Sequence, residues 1–166
     1  MPDAAHILAA LTVISLSVGS VAGALAIWRQ FKKESRPPYI QHPRDGMECG
    51  GRYVTISGRI PRRRRGSRYW IAIQPGDSSI GFGTWWPQRK QLAFATDGSW
   101  LVERATLGRQ GTAGEADIGK TYTIALFELS QHADAGFAAA ASDGERLKIP
   151  AGSTMLESIS VKRVEH

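Results

Sequence analysis

The chain has 166 residues, of which 22% are charged, with a formal net charge of +6 and a single cysteine. That length holds one ordinary domain with an appendage and is too short for two full cores. One cysteine excludes an internal disulfide, and it excludes a Cys-based zinc site within a single chain.

The positive charge is local. Arg29, Lys32, Lys33, Arg36 and Arg44 follow the first apolar stretch, and Arg62, Arg63, Arg64, Arg65 and Arg68 form one further run. Beyond Arg44 and apart from that run, 11 basic residues stand against 13 acidic ones. A near-neutral body does not offer the broad basic surface of a nucleic-acid-coating protein, so nucleic acid is not an expected partner.

Residues 4–28 read AAHILAALTVISLSVGSVAGALAIW and include no Asp, Glu, Lys or Arg. About 20 apolar residues suffice for a helix to cross a hydrocarbon core, and a helix satisfies its own backbone polar groups there. Residues 1–28 are therefore expected to form a single transmembrane helix. Basic side chains crowd after the span and only Asp3 carries charge before it, which predicts a cytoplasmic C-terminal domain in a single-pass protein of the cell membrane. Trp28 then sits at headgroup level, with Arg29, Lys32, Lys33 and Arg36 as juxtamembrane contacts. The rival is a leader cleaved near Ala24-Leu-Ala26, which lacks the usual positive n-region. Ser15, Gly19 and Gly23 recur every four residues, close to one helical turn. They form a small-residue groove suited to a homo-oligomer through the span.

Residues 29–50 read as a basic juxtamembrane linker. Arg36-Pro-Pro38 ends any continuation of the helix, because Pro restricts the residue before it and donates no backbone hydrogen bond. Turn formers dominate up to Gly51, so the stretch is expected to be an extended spacer.

From Gly51 onward the pattern is β-rich. The run from Tyr53 to Ile60 places Val54, Ile56 and Ile60 on one face, and Pro61 stops it. Tyr69 to Gln74 is a second strand, which makes the segment from Ile60 to Tyr69 a hairpin with an arginine tip. Gly81 to Trp86, Gln91 to Ala95 and Ser99 to Leu107 are further strands, with an Asp97-Gly98 turn before the last. Lys120 to Leu129 is almost wholly apolar or β-prone and is expected at the centre of a sheet. His132 to Ser142 is the one helical piece, and Lys148 to Gly152 is a turn. In the final strand, Met155 to Val164, Ile159, Val161 and Arg163 share a face. Seven short strands divided by turns predict an antiparallel β-sandwich of immunoglobulin or fibronectin-III type over 51–166, with a small β-barrel as the alternative.

The succession Trp70-Ile-Ala-Ile-Gln-Pro75, Trp86-Pro-Gln88, Asp97-Gly-Ser-Trp100, Leu107-Gly108, Ile118-Gly-Lys-Thr-Tyr-Thr-Ile124 and Ile149-Pro-Ala-Gly152 resembles small bacterial Ig-like β-sandwich modules. The resemblance covers residues 51–164. It implies a binding module beside a membrane anchor or a signalling or effector domain, including those of bacterial defence systems. It brings no catalytic residue.

No chemistry emerges from the motifs. The four histidines, His6, His42, His132 and His166, are scattered, and none pairs with Cys, Asp or Glu at metal-ligand spacing. No GxSxG, HExxH or Walker pattern is present. Gly76-Asp77-Ser78-Ser79 looks like a hydrolase nucleophile block, yet no downstream Asp-x-x-His accompanies it, and a β-turn after a strand accounts for it. A non-enzymatic module without cofactor or metal is expected.

Two features could bind a partner. Arg62, Arg63, Arg64, Arg65 and Arg68 suit anionic headgroups or another phosphate-bearing ligand. Trp85 and Trp86 are neighbours on a strand and so point to opposite faces, which leaves one of them at a rim as a possible ligand contact. The expected function is a membrane-anchored interaction module. The alternative is an exported envelope- or carbohydrate-binding domain that uses the tryptophans.

Overall fold

The structure is a computed structural model that describes residues 36–76, 83–108 and 117–165. The expected span lies outside them, as do Ser15, Gly19, Gly23, Trp28, Arg29, Lys32 and Lys33. The chain divides into two compact units, and the second runs from Pro37 to His166.

That second unit is mainly β. Its strands are β1 (Tyr39–His42), β2 (Met47–Gly50), β3 (Tyr53–Arg59), β4 (Arg68–Pro75), β5 (Thr84–Pro87), β6 (Ser99–Thr106), β7 (Thr121–Leu129), β8 (Leu147–Lys148) and β9 (Ser153–Val164), with helix α1 (Gln131–Asp143) after β7. One sheet has three strands in the order β1-β3-β6, and the other has six in the order β2-β9-β7-β4-β5-β8. Neither closes on itself, so the barrel alternative does not hold among the described residues.

The two sheets pack through Val54 and Ile56 of β3, Tyr69, Ile71 and Ile73 of β4, and Tyr122, Ile124 and Leu126 of β7, joined by Ile159 and Val161 of β9. The opposite face of β4 and β7 lies under α1, with Trp70, Ala72, Phe127 and Leu129 packed on Ala133 and Phe137. A strand covered on both faces needs apolar residues at every position. This accounts for the unbroken runs in β4 and β7, against the strict alternation in β3. Helix α1 is capped at both ends: the Ser130 hydroxyl accepts from the Ala133 amide at 3.3 Å, and Gly144, at φ 70°, donates its amide to the Ala140 carbonyl.

Three expectations change. Among the described residues there are nine strands where seven were expected, because β1, β2 and β8 lie where a spacer and a turn were predicted and the strand over Gln91 to Ala95 is lost. Short segments without alternation acquire strand character from their partners, not from their own residues. β2 runs parallel to β9, with Cys49 buried opposite Arg163. The end of the expected linker therefore belongs to the domain. It is pinned there by the Asp45 carboxylate, which accepts from the Ser160 amide at 2.7 Å.

Second, the hairpin between Ile60 and Tyr69 does not form. β3 pairs with β1 and β6, while β4 pairs with β5 and β7, so the segment crosses from one sheet to the other. Facing sheets bury the apolar side of β3 against the apolar side of β4, whereas a hairpin would set them side by side.

Third, the strand expected over Gln91 to Ala95 reduces to a single bridge between Phe94 and Trp100. The Trp100 ring occupies space beside Gly58, where an added Cβ would fall 2.4 Å from it and 2.2 Å from the Tyr39 carbonyl. That glycine lets β1 and the indole approach β3 together.

Candidate functional site

The arginine loop is held by bonds that begin on the following strand. Tyr69, the second residue of β4, is 3% exposed, and its hydroxyl accepts from the Arg64 amide at 2.9 Å. Burial pushes the Tyr69 phenol above its usual pKa, with the nearby Glu128 carboxylate adding to the effect. Ser67 donates to Glu128 Oε1 at 2.6 Å, and Arg64 Nε lies 3.8 Å from the same oxygen. At the end of the loop, Arg68 lies 4.0 Å from Asp134, which also accepts from the Trp70 indole at 2.6 Å. Arg63 stacks on Phe94, 4.7 Å from the ring centroid, and Phe94 meets Tyr69 edge-on at 5.5 Å.

The result is an open depression of about 730 Å³, bordered by Arg62 to Arg65, Arg68 and the rings of Tyr69 and Phe94. All five arginines predicted from the sequence therefore converge on one place. Glu128 and Asp134 engage Arg64 and Arg68, and the loop remains positive on balance. The arginine partner in each pair is the more exposed one, so each guanidinium keeps a face toward solvent.

The strand by which the chain enters the domain lies at the same end. Tyr39 of β1 pairs with Arg59 of β3, three residues before Arg62. Arg59 also donates to the Asp97 carbonyl at 2.8 Å, which fastens the turn before β6 to this end. In that turn, hydrogen bonds from the Ser99 hydroxyl and amide hold the Asp97 carboxyl below the usual carboxylate range. The last predicted juxtamembrane residue, Arg36, is exposed.

The tryptophan pair divides as the strand geometry requires. Trp85 is buried under α1 and meets Phe127 edge-on at 5.2 Å, so it cannot serve as a ligand contact. Trp86 is half-buried and borders a separate pocket, with the Arg146 guanidinium 5.4 Å from its ring centroid. The two do not form a shared stacking platform.

Among the described residues, no helix is long and apolar enough to cross a membrane. No three of His, Cys, Asp and Glu gather among them as a metal ion would require. Sequence reasoning missed Glu128 and Asp134 as anchors of the arginine loop. Both sit in segments whose apolar character hid their role, and only the pairing of β4 with β7 brings Glu128 opposite Tyr69.

No protein-family model matches the chain, and no curated protein matches it. Among solved structures, CopC from Methylosinus trichosporium OB3b is similar at 11% identity and a TM-score of 0.37, over 78% of this chain and 95% of that one.

Proposed function

We propose that the chain is a single-pass membrane protein whose Ig-like domain is a non-enzymatic interaction module, docked by its arginine loop on the anionic lipid surface beside its own anchor. The observation that carries this is the register of β1 on β3, since the anchored end of the chain and the five-arginine loop share one end of the domain. If residues 29–36 continue a helix they span about 12 Å, and fully extended they span about 28 Å. A tether this short raises the local concentration of the loop at the lipid surface, and contact within about 8–10 Å then brings its charges into the surface potential. Each basic side chain near such a surface contributes about 1 kcal/mol. The stem residues Arg29, Lys32, Lys33 and Arg36 would add to the same contact.

The test has two parts. Reporters fused after His166 are expected to give signal from the cytoplasm-active version and none from the export-active one. The unit 37–166 is expected to sediment with phosphatidylserine vesicles and not with phosphatidylcholine vesicles. Replacement of Arg62, Arg63, Arg64 and Arg65 by Ala should abolish the difference. An exported reporter, or vesicle binding unchanged by the four substitutions, overturns the reading.

A further inference from the structure

The large sheet carries a second site beyond the arginine loop. About 16 Å of β4 separates Arg68 from Ile73, and Ile73 belongs to the wall of a half-open pocket of about 300 Å³. Apolar walls come from Ile73, Pro87 and Ala141, and the half-buried Trp86 adds a flat ring. Arg52 and Arg89 bring two guanidiniums, and among the described residues no Asp or Glu lines the pocket.

The polar groups of the wall are already engaged. Gln88 is 7% exposed; its carbonyl oxygen accepts from the Thr106 amide at 2.8 Å, and its amide donates to the Trp86 carbonyl at 3.3 Å. It thereby ties the end of β5 in one sheet to β6 of the other. Gly108, at φ 81°, forms another part of the wall. An added Cβ there would fall 2.5 Å from the Tyr122 hydroxyl, 2.7 Å from Asp117 and 2.9 Å from Arg163, so these three groups close in around it. Asp117 is itself paired with Lys120 at 3.3 Å.

Arg52 differs from these. Its Nε, like that of Arg163, is buried without a hydrogen-bond partner, but Arg163 donates through another nitrogen to the Leu107 carbonyl, whereas the Arg52 guanidinium rests 5.2 Å from the Tyr53 ring centroid. Among the described residues neither Arg52 nor Arg89 meets a carboxylate. A buried nitrogen left without a partner is costly, and the guanidinium fork matches carboxylate and phosphate oxygens.

From this the geometry points to a binding site for a small organic anion, a single flat ring bearing one carboxylate or phosphate. The ring lies on Trp86 and the apolar wall, and the anionic head meets Arg52 and Arg89. The volume sits at the lower end of the roughly 300–1,000 Å³ range of ligand pockets, which restricts the occupant to about one ring. The two guanidiniums disfavour a cation, the nearby Asp117 carboxylate being paired with Lys120, and a neutral ring would leave both arginines unanswered.

Benzoate and phenyl phosphate, titrated against the full-length chain in neutral detergent and followed by ligand-detected NMR with empty micelles as blank, test this. Saturable binding of at least one is expected, with the better of the two identifying the head group. Benzyl alcohol and inorganic phosphate should bind far more weakly. Arg89→Gln, at an exposed position where folding is not at risk, should weaken binding about tenfold or more, as should Arg52→Gln. The quadruple Ala variant of Arg62 to Arg65 should leave it unchanged, so failure here is distinct from failure of the membrane reading. Absence of saturable binding, equal binding of benzyl alcohol, or an affinity indifferent to Arg89→Gln overturns the proposal.

Discussion

The arginine loop and the Arg52/Arg89 pocket are both basic, yet they are built in opposite ways. The loop takes its charges from one contiguous run and holds them on an exposed crossover, fastened by Tyr69 and Glu128. The pocket draws residues from Arg52 to Gly144 and buries part of one guanidinium with no carboxylate beside it. The difference teaches where charge costs stability. An exposed run is solvated and can be removed with little effect on folding, whereas a buried guanidinium depends on the walls that position it.

The largest expected effect couples the two regions. Helix α1 begins beside the loop, where Asp134 meets Arg68 and Trp70, and ends at the pocket with Ala141 and Gly144. Phe137 fixes it to the sheet, with ring centroids 5.9 Å from Trp70 and 5.7 Å from Phe127. Phe137→Ala should cost about 3–5 kcal/mol in urea denaturation and should weaken both sites together.

Next comes a change that separates them. Gly108→Ala meets both a positive φ and three crowded polar groups. A loss of about 2–4 kcal/mol is expected from the left-handed backbone and the overpacking combined. The variant should lose the pocket at temperatures where it still binds anionic vesicles; equal loss of both would remove the distinction between the regions.

A smaller effect on folding, but a large one on docking, follows from replacing Arg62 to Arg65 by Ala. Stability should move by less than about 1 kcal/mol. Vesicle affinity should fall by about two to three orders of magnitude at low salt. Raising the salt should erase most of that difference, because exposed charges are screened.

The smallest effect concerns the bond that shapes the loop. Tyr69→Phe removes the acceptor of the Arg64 amide and should cost about 1 kcal/mol. It should also alter alkaline behaviour. Burial raises the folded-state pKa of Tyr69 above its unfolded value of about 10. The native state therefore keeps its proton longer, and this contribution is complete below about pH 10 and is lost as pH rises through the folded value. Thermal unfolding of wild type and Tyr69→Phe across pH 8–11 should show a decline in the first that is reduced in the second.

Much of the fold was legible residue by residue. Val54, Ile56 and Ile60 alternate, β7 reads as a central strand, and Ile159, Val161 and Arg163 share the inner face of β9. Arg163 stays polar there because its guanidinium donates to the Leu107 carbonyl at 3.1 Å. The arginine site was legible because its residues adjoin. The pocket was not, although Trp86 and the Leu107-Gly108 pair were visible as isolated signals. Nothing local joins them to Arg52.

By itself, then, the sequence determined which segments alternate, where prolines and glycines interrupt them, and where charge is concentrated. These follow from the periodicity of a strand and the stereochemistry of single residues. Only the tertiary structure decided that β3 and β4 belong to different sheets, that Trp85 is core while Trp86 borders a pocket, and that the start of β1 lies beside the end of β3 that leads into the arginine loop. The physical reason is that pairing is chosen by burial of whole faces across the domain, a long-range balance that no short window of residues contains.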